Sequence, residues 1–196
     1  PQIHVPVALN VNENTHGVPA EVAEHIAESV RAALVDVNRY PDREFTALRT
    51  ALAGYLGHGI EAAQIWAGNG SNEVIQHVLQ AFGGPGRRVL GFPPTYSMHS
   101  IIASSTGTEW VTAARDEGFR IGADTAVAAV REHRPDLVFL CAPNNPTGTT
   151  NTRAELDAYF ERVPEHVLTV LDQAIGLEEY GNPHWVRDLN PMADGK

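Results

Sequence analysis

The chain has 196 residues, of which 43% are hydrophobic and 19% are charged, and its formal net charge is −10. This length allows one domain with a buried core, and the composition excludes collagen-like, coiled-coil and disordered proteins. The negative charge argues against a nucleic-acid partner, although backbone N–H groups can bind a small phosphate even in an acidic protein.

The sequence carries no signal for export or for membrane insertion. Cys141 is the only cysteine, so a disulfide within the chain is impossible. No apolar stretch reaches the roughly 18 to 20 residues of a membrane span. Residues 1–5 do not begin a signal peptide. We therefore expect a cytoplasmic protein without a membrane partner.

The first part of the chain predicts an extended segment followed by two helices. Residues 1–19 are rich in turn formers, and apolar residues at helical spacing predict a helix over residues 20–37. The segment Arg39-Tyr40-Pro41-Asp42 ends this helix, because the residue before a proline disfavours helical geometry. A second helix is expected over residues 45–56.

Strands and helices alternate along the rest of the chain. Strands are expected at residues 65–67, 88–92, 109–113, 137–141 and 167–171, and helices at residues 74–82, 96–104, 123–132 and 152–162. The run 137–141 is apolar throughout, which is typical of a strand buried on both faces. This alternation predicts an α/β fold, a three-layer α/β/α arrangement with a mostly parallel, doubly wound sheet.

The segment Gly68-Asn69-Gly70-Ser71-Asn72 lies between a predicted strand and a predicted helix. Glycines allow a ligand to approach the backbone, and a helix N-terminus offers free N–H groups, so the segment can bind phosphate. It lacks the ending of a P-loop and the glycine spacing of a dinucleotide-binding motif. Alternatively, it is a plain turn in which Ser71 or Asn72 caps the helix.

Two further strands end in unusual residues, at the edge where such sheets bind ligands. Asn144-Asn145-Pro146-Thr147-Gly148 follows the buried strand, and a plain turn would need only one Asn or Gly. Asp172 is either a ligand-binding acid or a cap. Tyr96 either stacks on a planar ring or fills the core, and Tyr40 is either functional or only an aromatic at a helix end.

Other kinds of catalytic site are not indicated. The nine histidines show no spacing with carboxylates that suggests a metal site, so we expect them on the surface or in the core. Cys141 lies within an apolar strand, which is a poor environment for a nucleophile.

Taken in order, these segments resemble the fold-type I aminotransferases, which use pyridoxal phosphate (PLP). Within that family they are most similar to the enzymes that act on histidinol phosphate and on aromatic amino acids. The resemblance covers about residues 8–174, and the matching stretches are residues 9–14, 39–42, 66–73, 80–86, 94–99 and 143–148. It implies that residues 1–40 form an N-terminal segment and helix, that residues 41–196 are part of the large domain, and that the C-terminal small domain is absent.

The resemblance also implies roles for the residues that follow the strands. Gly70, Ser71 and Asn72 would hold the cofactor phosphate. Tyr96 would stack on the pyridine ring, and Asn145 would donate a hydrogen bond to its phenolic oxygen.

Three more positions take their expected roles from the same resemblance. Asp172 would pair with the protonated pyridine nitrogen and so keep the ring an electron sink. Tyr40 would reach across a homodimer interface to the neighbour's cofactor phosphate. Asn12 would border the substrate pocket.

The chain departs from the family pattern at three places. Thr15 replaces a proline in Asn12-Glu13-Asn14-Thr15, and Ile175 replaces a tyrosine that normally assists the asparagine on the phenolic oxygen; Tyr180 is too far along to substitute. Lys196 is the only lysine, and it lacks the Ser-Lys context and the spacing of the Schiff-base lysine. We therefore assign no catalytic residue and expect the chain alone to be inactive.

The activity implied by the resemblance is amino transfer between histidinol phosphate, or an aromatic amino acid, and 2-oxoglutarate in histidine biosynthesis. The alternatives are a PLP decarboxylase of the same fold and a non-catalytic PLP-binding or interaction protein. A nucleotide-binding enzyme ranks third.

Overall fold

The structure is a computed structural model that describes residues 16–173. In chain order its elements are α1 (Ala20–Ala33), a 3-10 turn (Leu34–Asp36), α2 (Thr46–Leu56), a 3-10 turn (Ala62–Gln64), α3 (Ser71–Phe82), β1 (Arg88–Gly91), α4 (Met98–Ser105), β2 (Glu109–Thr112), α5 (Ala123–His133), β3 (Leu137–Cys141), α6 (Arg153–Phe160) and β4 (Leu168–Asp172). The described residues fall into two compact units, one ending at Ala47 and one beginning at Leu48.

The first unit contains α1 and the turn that leads into α2. The helix expected over residues 20–37 is present, with its last turn wound as a 3-10 helix that ends at Asp36. The Asp42 carboxylate accepts hydrogen bonds from the backbone N–H groups of Glu44 and Thr46 at 3.0 and 2.8 Å. These bonds satisfy donors that have no partner within the helix and so fix the start of α2.

The second unit is built on a four-stranded sheet in the order β2-β1-β3-β4. Every pairing is parallel, with Leu90 opposite Val138 and Cys141 opposite Asp172. The predicted parallel sheet is therefore confirmed. Because parallel strands end at the same edge, the loops that follow them lie together.

Helices cover both faces of this sheet. Leu137 and Phe139 pack with α3 and α4 on one face, whereas Val138 and Leu140 pack with α5 and α6 on the other. All five residues of β3 are buried, as the apolar run predicted. Burying a Leu or Phe side chain in this way contributes roughly 1.5–3 kcal/mol. The arrangement confirms the three-layer α/β/α fold class.

Two carboxylates fix the starts of elements in this unit. Glu155 and Thr152 form a capping box at the start of α6, and the hydrogen bond from the Thr152 N–H group lowers the pKa of Glu155. Asp136 accepts from the Arg88 N–H group at 2.8 Å and contacts the Arg87 guanidinium. Burial opposes ionisation of Asp136, but these contacts together lower its pKa.

The prediction of a strand at residues 65–67 is wrong. In the described part of the chain these residues pair with no strand, and Trp66 instead donates its indole N–H to Nδ1 of His77 on α3 at 3.1 Å. A short apolar run does not distinguish a strand from a packed loop, since a strand needs a partner with free ladder groups.

Between residues 16 and 173, no helix combines the length and the apolar character that a membrane crossing requires.

Candidate functional site

The candidate site lies at the edge where β1, β3 and β4 end. Hydrogen bonds and ring contacts link Asp172, His99, Tyr96 and Asn72 into one continuous series. The structure therefore brings together three predicted site residues, and it adds His99 between them.

Asp172 is the last residue of β4, and its side chain is 17% exposed. Its Oδ2 accepts a hydrogen bond from Nε2 of His99 at 2.9 Å, and it lies 3.7 Å from the Cys141 sulfur. No hydrogen bond from the residues described reaches Oδ1. One oxygen of a nearly buried carboxylate is thus held by the protein, while the other remains available to a ligand.

His99 is completely buried on α4. Its ring stacks on Phe139, with centroids 4.6 Å apart and an angle of 9° between the planes, and it meets the Tyr96 ring edge to face at 5.5 Å. Since a carboxylate can only accept, Nε2 carries the hydrogen that points at Asp172. Nδ1 is buried without a hydrogen-bond partner in the described residues, so the bond to Asp172 is the only one that orients this ring.

Tyr96 connects the start of α4 to the start of α3. Its hydroxyl donates to Oδ1 of Asn72 at 3.2 Å, and its side chain is only partly buried. A phenol anchored at its hydroxyl presents a ring of fixed orientation to the site. This placement favours the stacking role over the alternative that Tyr96 merely fills the core.

The N-terminus of α3 is open to a ligand. Gly70 precedes the first helical residue with φ of +87°, and a Cβ at Gly70 would meet no atom within 4 Å. The N-cap position is Gly70, and no side chain of the described residues caps this helix, which contradicts the alternative that Ser71 or Asn72 is its cap. The first N–H groups of α3 therefore have no intrahelical partner, and together with the positive end of the helix dipole they suit an anion.

The loop before Gly70 is ordered by an acid of α3. The Glu73 carboxylate accepts from the backbone N–H of Asn69, and from its side-chain amide at 3.0 Å. The backbone hydrogen bond lowers the pKa of Glu73. An added Cβ at Gly68 would lie 3.0 Å from the Glu73 carboxylate, so a side chain there would disturb this contact.

Asn145 follows β3 and lies beside the sulfur of Cys141. Its backbone N–H points at that sulfur at 3.5 Å, while its side-chain amide makes no hydrogen bond with the residues described. Burial raises the pKa of the Cys141 thiol, which keeps it protonated. This agrees with the expectation that Cys141 is not a nucleophile, and it leaves the Asn145 amide available.

Other expected site residues are not brought into this series. Tyr40 is fully exposed and belongs to the first unit. The predictions for Asn12, Ile175, Tyr180 and Lys196 fall outside the described residues. Within residues 16–173 no group of His, Cys, Asp and Glu side chains could hold a metal ion.

Comparison with known proteins places this geometry in context. The family model described as aminotransferase class I and II matches residues 5–190. A histidinol-phosphate aminotransferase of Paenarthrobacter aurescens (strain TC1) is 55% identical over 175 residues, which are 89% of this chain and 47% of that protein. One of Thermobifida fusca (strain YX) is 55% identical over 174 residues, with coverages of 89% and 47%.

A solved structure is also similar to this chain. The histidinol-phosphate aminotransferase of Sinorhizobium meliloti, in complex with pyridoxal-5′-phosphate, gives a TM-score of 0.65 at 27% identity and covers 74% of this chain and 39% of that one. The chain spans about half the length of the curated relatives that it matches.

Proposed function

Because this chain belongs to the aminotransferase class I and II family, we propose that it binds pyridoxal phosphate and is the cofactor-binding part of a histidinol-phosphate aminotransferase. Relatives at 55% identity carry that name, and a similar solved structure contains that cofactor. The observation that carries the proposal is Asp172, whose Oδ2 is held by His99 and whose Oδ1 is available at the edge of the sheet.

The residues present fit the cofactor by their chemistry. Pyridoxal phosphate has an anionic phosphate, a flat ring, a ring nitrogen and a phenolic oxygen. The uncapped start of α3 suits the phosphate. The Tyr96 ring suits the flat face, the available Asn145 amide can donate to the phenolic oxygen, and the free oxygen of Asp172 can accept from the protonated nitrogen.

The cofactor, when bound, supplies an electron sink for a carbanion at the substrate's α-carbon. Asp172 would hold the proton on the ring nitrogen, since an ionised carboxylate stabilises a neighbouring cation. His99 would keep the carboxylate aimed at that nitrogen through its Nε2–H group.

Phosphate binding and ring orientation are linked by one hydrogen bond. Asn72 is at the start of α3, and its Oδ1 accepts from the Tyr96 hydroxyl at 3.2 Å. A phosphate seated on Gly70, Ser71 and Asn72 would therefore lie at a fixed place relative to the ring on Tyr96.

The substrates and assembly are part of the same proposal. The amino donor would be histidinol phosphate or an aromatic amino acid, the acceptor 2-oxoglutarate, and the protein a cytoplasmic homodimer. Tyr40 would bind the phosphate of the neighbouring protomer and Asn12 would border the substrate. The inactivity of the chain alone stays a prediction.

Calorimetric titration with pyridoxamine phosphate tests the proposal, because this ligand has the same ring and phosphate but no aldehyde to react with amines. We expect saturable binding that Asp172→Asn weakens by about tenfold or more, the worth of one hydrogen bond to a charged group. Asp124→Asn is the matched control, since the Asp124 side chain is exposed at the start of α5 and pairs with Arg162.

Equal affinity of the Asp172 and Asp124 variants would contradict the assigned role of Asp172. A chain that binds no pyridoxamine phosphate would contradict the proposed function. Binding without amino transfer by the full protein would favour the non-catalytic alternative, and competition by ATP would favour a nucleotide-binding enzyme.

A further inference from the structure

Arg115 is a half-buried cation whose hydrogen bonds within the described residues all end on neutral oxygens. It lies in the loop between β2 and α5, and its guanidinium donates to the carbonyl oxygen of Phe92 at 2.7 Å, to that of Phe119 at 3.1 Å and to Oδ1 of Asn144 at 2.7 Å. Burial lowers the pKa of Arg115, but a guanidinium remains protonated at any ordinary pH. No carboxylate is among its described partners. Arg115 therefore serves to donate hydrogen bonds in three directions and not to form an ion pair.

Asn144 uses both ends of its side-chain amide, and it is only 3% exposed. Because a guanidinium can only donate, the amide oxygen must face Arg115, and this orientation directs the NH₂ group the other way. That group donates to the carbonyl oxygen of Pro94 at 3.0 Å and to Oγ1 of Thr147 at 2.7 Å.

The backbone of Asn144 closes its own loop. Its N–H donates to the carbonyl oxygen of Thr149 at 2.7 Å, and its carbonyl oxygen accepts from the Gly148 N–H at 2.7 Å. The loop after β3 is therefore tight, and its side-chain amide connects it to the loop after β1.

These contacts join the two loops that carry the ring-binding residues. Pro94 is two residues before Tyr96, and Asn144 immediately precedes Asn145. Arg115 holds the first loop at Phe92 and the second at Asn144, and Asn144 holds the first loop again at Pro94. Arg115 and Asn144 thus connect the loop that carries Tyr96 to the loop that carries Asn145.

We propose that Arg115 and Asn144 are positioning residues that hold Tyr96 and Asn145 at the spacing a pyridine ring requires. The inference rests on the proposed function for the identity of the ring, but the connection between the loops can be tested without any ligand. Neither residue touches the ring itself; both act through their neighbours.

The first experiment measures amide hydrogen exchange in the full chain without ligand. Arg115→Lys keeps the charge but replaces the planar guanidinium by a compact ammonium group. This group cannot donate to three oxygens that lie in different directions. We expect exchange at Asn144 and Gly148 to accelerate about tenfold, while the amides within β1 and β3 change less than about twofold. Arg120→Lys is the matched control, because Arg120 pairs with Glu155 at a partly exposed site.

Asn144→Asp separates the two halves of the connection. The aspartate keeps an oxygen towards Arg115, but it has no N–H to donate to Pro94. The Thr147 hydroxyl, which accepts from Asn144, can instead donate to the new carboxylate, so the loop after β3 stays closed. We expect this variant to retain protection at Gly148 and yet to bind pyridoxamine phosphate about tenfold more weakly, because the hydrogen bond to Pro94 in the loop that carries Tyr96 is lost.

The second experiment compares pyridoxamine phosphate with inorganic phosphate, which needs only the start of α3. Arg115→Lys should lower the affinity for pyridoxamine phosphate about tenfold and leave the affinity for inorganic phosphate unchanged. The proposal would be overturned if the affinity for both ligands fell equally, or if the affinity for pyridoxamine phosphate did not change. Faster amide exchange throughout the sheet would overturn it as well. If the unsubstituted chain binds neither ligand, the proposed function is wrong, and the exchange result alone decides whether Arg115 and Asn144 hold the loops.

Discussion

Within residues 16–173, His99 has one hydrogen-bond partner, and that partner is the proposed ligand of the ring nitrogen. The ring is fixed against Phe139 by stacking, and Nε2 points at Asp172. The histidine thus determines which way the carboxylate faces, and its effect on a ligand is indirect.

Replacing His99 by Phe separates stacking from hydrogen bonding. A phenyl ring can still stack on Phe139, but it cannot donate to Asp172. We expect affinity for pyridoxamine phosphate to fall by about tenfold, because the carboxylate is no longer oriented. Calorimetry measures the loss, and His166→Phe, at an exposed position, serves as the control. An affinity equal to that of the unsubstituted chain would show that Asp172 does not need the hydrogen bond from His99 to be oriented for the ligand.

The sequence marks Asp172, Tyr96 and Asn72 as candidate site residues because each lies in a local motif after a strand or at a helix start, and their roles stay predictions. It did not predict the role of His99, which was expected only to be a surface or core residue. The partner of His99 is 73 residues away and is reached only because β4 lies beside β3. No local spacing contains that information. Arg115 was missed for the same reason, since its acceptors lie on three different loops.

Among the elements, β1 and β2 meet at an unusually close contact. Gly91 ends β1, and a Cβ at this position would lie 2.0 Å from the Trp110 ring. The indole therefore occupies the space of a side chain, and only glycine fits beneath it.

A pair of Gly→Ala substitutions tests this contact. Gly91→Ala should lower the free energy of unfolding by about 1–3 kcal/mol, because the new methyl group displaces Trp110. Gly54→Ala lies within α2 with no atom within 4 Å of the added Cβ, and it should raise the same quantity by about 0.5–1 kcal/mol. Urea denaturation measures both. Opposite signs are required, and equal effects would refute the close packing.

The spacing of apolar residues predicted most helices and strands, because the buried face of each element must be apolar. The bounds of β3 match the apolar run, and the amphipathic pattern located α5 to within a residue of its end. The start of α3 came three residues earlier than expected, because Gly70 adopts a positive φ and lets the helix begin at Ser71. The strand expected at residues 65–67 failed because pairing depends on a distant partner rather than on composition.

For the whole molecule, carboxylates with lowered pKa values predict sensitivity to acid. Glu155, Asp136 and Glu73 are each more acidic in the folded chain than in the unfolded one. As the pH falls, the unfolded state takes up protons first. Stability is therefore full above the unfolded pKa values of about 4 and declines as the pH drops through the lower folded values.

Urea midpoints measured between pH 7 and pH 3 should therefore decrease below about pH 4.5. Glu155→Gln keeps an oxygen that can accept from the Thr152 N–H but removes the titrating group, so its midpoint should fall less steeply. Parallel declines for the variant and the unsubstituted chain would show that Glu155 contributes nothing to the pH dependence.

The order of the strands has a consequence for how the chain acquires its binding site during synthesis. Among the strands of residues 16–173, β1 is made first and takes an inner place, whereas β4 is made last and supplies Asp172. The hydrogen bond between His99 and Asp172 therefore forms only when β4 docks on β3. It joins residues that are 73 positions apart in the chain, and such distant contacts form late. A ligand that needs Asp172 would stabilise the sheet only after β4 has docked, so its binding would report the docking of β4 during refolding.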